Sequence, residues 1–534
     1  MNRTTLSLLA AATALAAVTG FAALTAPDGG EARSASAPAR LPVERSSLLC
    51  PAPSTSDIAD TEYTSYTPAR SGAAAGTDTK SAAELRPTAA TLTDPDEGAA
   101  GDDKKSADEK KDEKKKGEEA KDGAKADAAK QPAPEKPFLA LKTPGKPVGG
   151  KESGSDSPAL VGSADGGLAP GWTTQQTTVV PAGSGRGVLG VSCTAPDTDF
   201  WFPGASLAAD RQDYVHLTNP DDTAAVADIE IYGTDGALKS QLTEGIPVPA
   251  GASVPVLLPT LTSDKAEDVT VHVTTRTGRV GAVVRGAGDE TGSDWLPASA
   301  DPSGTLVLPG IPADATSVRL VAFAPGDADA DLKLRLATPS GTITPAAAET
   351  LRVKSGMTAA LDLKDVTKGE VGSLLLSPAE GGQATPVVAA LEVTRGTGAK
   401  QEFAFIPATA PVTERATAAD NRAKGSVLSL TAPGASAEVK VTASAGTEGG
   451  EPVVKTFEVK GGTTLAVTGP PVPAGLKGSY ALTVEPVSGG PVHASRTLLL
   501  PQDGIQMFTV QTLPDDRGTV EVPTARQDLS VLGD

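Results

Sequence analysis

The chain has 534 residues, 57 of them Gly and 44 Pro, with aromatics at only 3 % and a formal net charge of -19. At about 100–150 residues per domain this length predicts three or four domains, and many turn formers with few aromatics favour short strands over long helices. An acidic chain lacks the clustered Lys and Arg that grip nucleic acid or anionic lipid, which excludes both as electrostatic partners.

Residues Met1 to Ala26 give Arg3 and then an uncharged, Ala- and Leu-rich run from Leu6 to Leu24. This reads as an export signal over residues 1–30. The run is long for a cleaved signal and just long enough to span hydrocarbon, so signal peptide and single-helix anchor both fit, the span favouring the anchor. No later run reaches spanning length, which places the rest outside the membrane, touching it only through the N-terminal helix, or secreted. Cys50 and Cys193 form an even pair in an exported chain and are expected to make a disulfide.

Residues 31–67 read as the start of a first β region. Residues 68–165 read as a disordered, low-complexity insertion, with Lys and acidic residues balanced between Asp102 and Lys136. Residues 166–212 complete the disulfide-linked β region. A repeat then follows: YVHLTNP, SVRLVAFAPG and GSVLSLTAPG are alternating strands that end at Pro220, Pro325 and Pro433. Each leads to a second alternating strand (ADIEIYG, ADLKLRLA, AEVKVTA) and closes on a hairpin-like pair with Gly278, Gly381 and Gly382, or Gly489 and Gly490 at the reversal. A period near 100 residues suits one sandwich domain per repeat, giving modules at 213–300, 301–400 and 401–534. The expected class is all-β, with tandem immunoglobulin-like β-sandwich modules after an N-terminal signal or anchor helix and a long disordered insertion. Short strands such as TLVLPGIP and EFAFIPA are placed to couple neighbours.

Taken in order, the signal or anchor, CPAP, VSC, DFWFPGA (Asp199 to Ala205), VHLTNP, the Asp235-Gly236 turn, VPAGASV and DWLPA (Asp294 to Ala298) resemble an actinobacterial family of unknown function, DUF5719. The likeness spans most of the ordered chain. It implies an extracytoplasmic, β-rich protein and transfers no catalytic residue.

Signals for chemistry are sparse. Gly185 to Gly190 fits GxGxxG in form only, since VSC after it reads as strand and no helix follows. His216, His272 and His493 lie in alternating strands opposite their apolar neighbours and are expected to face solvent; no carboxylate stands at metal-ligand spacing and no nucleophile elbow accompanies them. Asp327, Asp329 and Asp331 lack the rest of a calcium loop and read as turn residues. Phe200, Trp201 and Phe202 are the densest aromatic cluster, and Trp295 recurs in a like context; they are the candidate ligand or partner contacts, with burial at the junction of the disulfide region and the next module as the alternative. The expected function is a non-catalytic envelope scaffold or interaction stalk without metal or cofactor, its partner an envelope protein or a cell-surface glycan. A glycan-binding module array is the second reading.

Overall fold

The computed structural model describes residues 39–69, 81–88, 90–91, 136–183, 185–242 and 244–522. The expected N-terminal helix and the charged stretch of the insertion lie outside them. Among the described residues the protein is all-β, with three single-turn 3-10 segments, and no helix is long and apolar enough to cross a membrane. The chain falls into two compact units, residues 1–42 with 519–534, and residues 43–518. In the first, strand Ala39–Pro42 pairs antiparallel with Thr519–Val522.

The second unit repeats one eight-strand pattern four times, in sandwich-like modules I to IV. In each, the first, sixth, third and fourth strands form one sheet in that order, and the eighth, seventh, second and fifth form the other. For module II the first three strands are Asp199–Ala205, Tyr214–Thr218 and Ala225–Gly233. Short strands Gly236–Ala237 and Ile246–Val248 take the fourth place, and Ala252–Leu257, Val269–Thr277, Gly281–Gly288 and Gly292–Leu296 follow. Module III runs from Leu306–Ile311 to Glu402–Pro407, and module IV from Ala416–Asn421 to Phe508–Leu513. Alternating apolar residues on each strand face the partner sheet, as in Val215, Leu217, Val271, Val273, Ala282 and Val284 of module II.

Three sequence expectations change here. Residues 68–165 contain strands Ala83–Pro87, Leu139–Leu141, Val148–Ser153 and Leu160–Asp165, which with Arg45–Cys50, Asp60–Tyr66, Thr173–Val180 and Gly187–Ser192 build module I as a full fourth copy. Leu85, Leu139, Leu141 and Leu160, sparse as they are, alternate with polar residues and pack on Tyr63, Trp172 and the buried Cys50. The closing pairs are not hairpins. The sixth and seventh strands, such as Val269–Thr277 and Gly281–Gly288, belong to opposite sheets, because each turns its apolar face to the other across the core. The true hairpin joins the seventh and eighth strands. Finally, the modules are not strung out end to end. Their eighth strands pack in a cycle: Gly187–Ser192 on Gly292–Leu296, that strand on Glu402–Pro407, that on Phe508–Leu513, and the last back on the first. First strands pack on the seventh strands of the next module in the same cyclic sense, module IV on module I included. The four modules therefore close a ring, and the seventh and eighth strands of each second sheet are covered on both faces.

The expected disulfide is present. Cys50 and Cys193, 143 residues apart with Cα atoms at 4.4 Å, join the first strand of module I to the end of its eighth, across the two sheets.

Candidate functional site

Ring closure decides where the flagged histidines lie. His216 and His493 are buried, at 6 % and 7 % exposure, where solvent had been expected. Alternation places a side chain on one face of a strand, and here a neighbouring module covers that face. His216 packs edge-on to Trp295 at 5.0 Å, and burial holds it neutral, with its pKa lowered to about 3. His493 Nδ1 lies 3.0 Å from the Thr409 carbonyl, and burial lowers it to about 4. Neither histidine has the partners of a general base. Among the described residues no His, Cys, Asp or Glu group is arranged to hold a metal.

The four aromatic candidates separate. Phe200 and Phe202 point into the core of module II, and Trp295, 1 % exposed, sits with Val180, Leu189 and Val191 at the junction of modules I and II. Trp201 faces the other way. The antiparallel register sets Trp201 beside His272 and His272 beside Glu230, so the indole stacks on the imidazole at 3.6 Å. Its other neighbours are Phe323 of module III at 5.3 Å and Tyr232 at 6.4 Å. His272 Nε2 and Nδ1 each lie 3.3 Å from a carboxylate, Asp199 and Glu230, both more than half exposed. Burial, then the hydrogen bond to Glu230, pushes the Tyr232 hydroxyl up to about 12. This half-exposed group of rings and carboxylates is the surface cluster that most resembles a contact site. It offers a cationic or polar group two acceptors, but the Trp201 ring is stacked on His272 with Phe323 packed against it.

Sequence reasoning missed the polar pins of the ring. The buried Asp294 carboxylate accepts from Gly190 N at 3.1 Å, from Trp295 N at 2.8 Å and from Thr509 Oγ1 at 3.0 Å, joining modules I, II and IV. Burial holds its pKa well above the usual carboxylate range. Arg186, in the GRG turn, reaches Glu402 Oε1 at 2.6 Å, Gln401 O at 2.7 Å and Glu290 O at 3.2 Å. Arg211 pairs with Asp213 at 3.1 Å and with Glu392 of module III at 2.8 Å, over the Phe403 ring. Partners more than 100 residues apart leave no local pattern; a charge inside an otherwise apolar strand, as in DWLP, was the one visible sign.

Burial raises Glu402 to about 7 from 4.5, with Arg186 pulling the other way. A raised carboxyl pKa contributes stability that is full below the unfolded value and lost as pH rises through the folded one. Unfolding stability is therefore expected to decline between pH 4.5 and about 7. Glu402→Gln should flatten that part of the profile, measured by denaturant melts at several pH values, and an unchanged slope would contradict it.

A cleft of about 880 Å³ lies between modules I and IV, lined by Glu62, Lys151, Arg422, Lys424, Leu500 and Gln502 among others. Glu62 bridges Lys151 and Arg422, and Arg422 Nε also meets Asp420 at 2.9 Å, so its charges largely neutralise one another. A model of a family of unknown function (DUF5719) matches residues 148–470, from the fifth strand of module I past the fifth strand of module IV. No curated protein and no solved structure matches the chain.

Proposed function

The chain belongs to the DUF5719 family of unknown function, and from the way its modules close on one another we propose that it is a non-catalytic, extracytoplasmic scaffold of the cell envelope. Four immunoglobulin-like sandwiches, carried beyond an N-terminal signal or anchor helix, present a rigid platform to an envelope protein. The observation that carries this reading is the cyclic packing of the four eighth strands, which commits the buried polar groups to module junctions rather than to a reaction. A closed ring favours a platform of fixed geometry over an extended stalk. Photo-crosslinkers at exposed Ile343 and Val454 in intact cells test it. Discrete protein adducts are expected, whereas substrate turnover lost on replacing a single His would overturn the proposal.

The glycan-binding alternative draws support from the cluster at Trp201, yet sugar stacking needs a free aromatic face, and this ring is already stacked on His272 with Phe323 packed against it. Trp201→Ala is expected to leave glycan-array signals unchanged and to cost about 3 kcal/mol of stability through the lost module II–III contact. Specific sugar binding abolished by that substitution, with folding intact, would restore the glycan reading.

A further inference from the structure

At the junction of modules I and II a small cavity of about 70 Å³ is lined by Ser54, Ser56, Gln212, Arg285, Asp289 and Ser293, with backbone at Gly185 and Gly288. Arg285 stands on the seventh strand of module II, with Tyr214 and Trp295 as its cross-strand neighbours. Its guanidinium lies over the Tyr214 ring at 5.1 Å. Its Nε is buried without a hydrogen-bond partner, and among the described residues no carboxylate pairs with it. Arg186, Arg211, Arg395 and Arg422 each hold a carboxylate, whereas the buried Arg496 also lacks one but donates to Gln511 and does not line this cavity. The nearby buried Asp213 is spent on Arg211 and the Ser206 amide. Asp289, the carboxylate on the lining, is solvent-exposed. Arg285 as a whole is part-exposed, but a guanidinium nitrogen buried without an acceptor is costly, and the planar fork matches an oxyanion.

We propose that this cavity binds a small tetrahedral oxyanion of the phosphate class, with the Arg285 fork as its principal ligand and the hydroxyls of Ser54 and Ser56 as further donors. The volume is several times the roughly 10–15 Å³ that one water requires and suits a single such ion. Because Ser54 and Ser56 belong to module I and Arg285 to module II, the bound ion ties the two modules together. Burial of Arg285 lowers its pKa, as is expected of a cation that lacks its counter-charge.

The test uses the full chain with inorganic phosphate, followed by calorimetry and by the melting temperature, against chloride at equal ionic strength. Saturable phosphate binding and a raised Tm are expected, with affinity falling about tenfold or more in Arg285→Gln. Arg276→Gln, which removes an exposed arginine paired with Asp228, should leave binding unchanged. If Arg285→Gln does not fold, Arg285→Lys, which keeps the charge without the fork, should bind several-fold more weakly. A glycerol phosphate arm separates the sources: binding of inorganic phosphate alone identifies the free ion, and binding of both identifies a phosphate ester group; either supports the site. Equal phosphate responses in wild type and the Arg285 variants, reproduction of the effect by chloride, or no response in wild type would each overturn it.

Discussion

Reduction of the Cys50–Cys193 bond is expected to lower the stability of module I by about 4–5 kcal/mol, an upper figure from the entropy of closing a long loop. The loop spans 143 residues and includes the whole connection between Pro87 and Leu139. The bond also holds the first strand, Arg45–Cys50, to the end of the eighth, Gly187–Ser192, which belongs to the opposite sheet. Loss of the link should therefore free the two sheets of module I from one another before it affects the core of module III. Hydrogen exchange with and without reductant reads this out. Faster exchange in strands Arg45–Cys50 and Gly187–Ser192 is the expected result. Protection unchanged after verified reduction, or two free thiols in the folded protein, would contradict it.

The repeat was readable because each second strand ends at a proline that cannot continue the ladder, Pro220, Pro325 and Pro433. Module I carries the same mark, Pro68 two residues after strand Asp60–Tyr66. There the mark is hidden, because the long connection after Pro87 breaks the spacing of everything downstream. Ring closure was hidden for a different reason. Strand alternation reports which residues share a face but not what covers that face, so His216 and His493 read as exposed while a neighbouring module buries them. Fully buried strands such as Glu402–Pro407 and Leu306–Ile311 did leave a trace, as apolar runs without alternation, and these were the segments expected to couple neighbours. Trp201 and His272 were each visible in the sequence, but their stacking depends on register between strands about 70 residues apart. Arg285 carried no signal at all, since what distinguishes it is an unpaired Nε beside a cavity.

Phe405→Ala should cost about 3–5 kcal/mol, and the loss should fall on module II although the residue belongs to module III. Strand Glu402–Pro407 divides its side chains between two cores: Ala404 and Ile406 face module III, whereas Phe403 and Phe405 enter the core of module II beside Phe200, Phe202 and Val284. The two rings meet edge to face at 5.3 Å. A Cβ at Gly286 would come within 2.9 Å of the Phe405 ring, so that glycine leaves the space the ring fills. Truncation thus opens a cavity inside a module to which the residue is not covalently local, and rigid packing prevents full collapse around it. Exchange of the amides in Val269–Thr277 and Gly281–Gly288 should rise in Phe405→Ala. Ile406→Ala, a buried neighbour on the same strand, should cost about 2–5 kcal/mol and loosen module III instead. If Phe405→Ala released only module III and left module II protected, the eighth strand would serve its own sandwich alone, and the ring would be four independent domains in contact rather than one interlocked body.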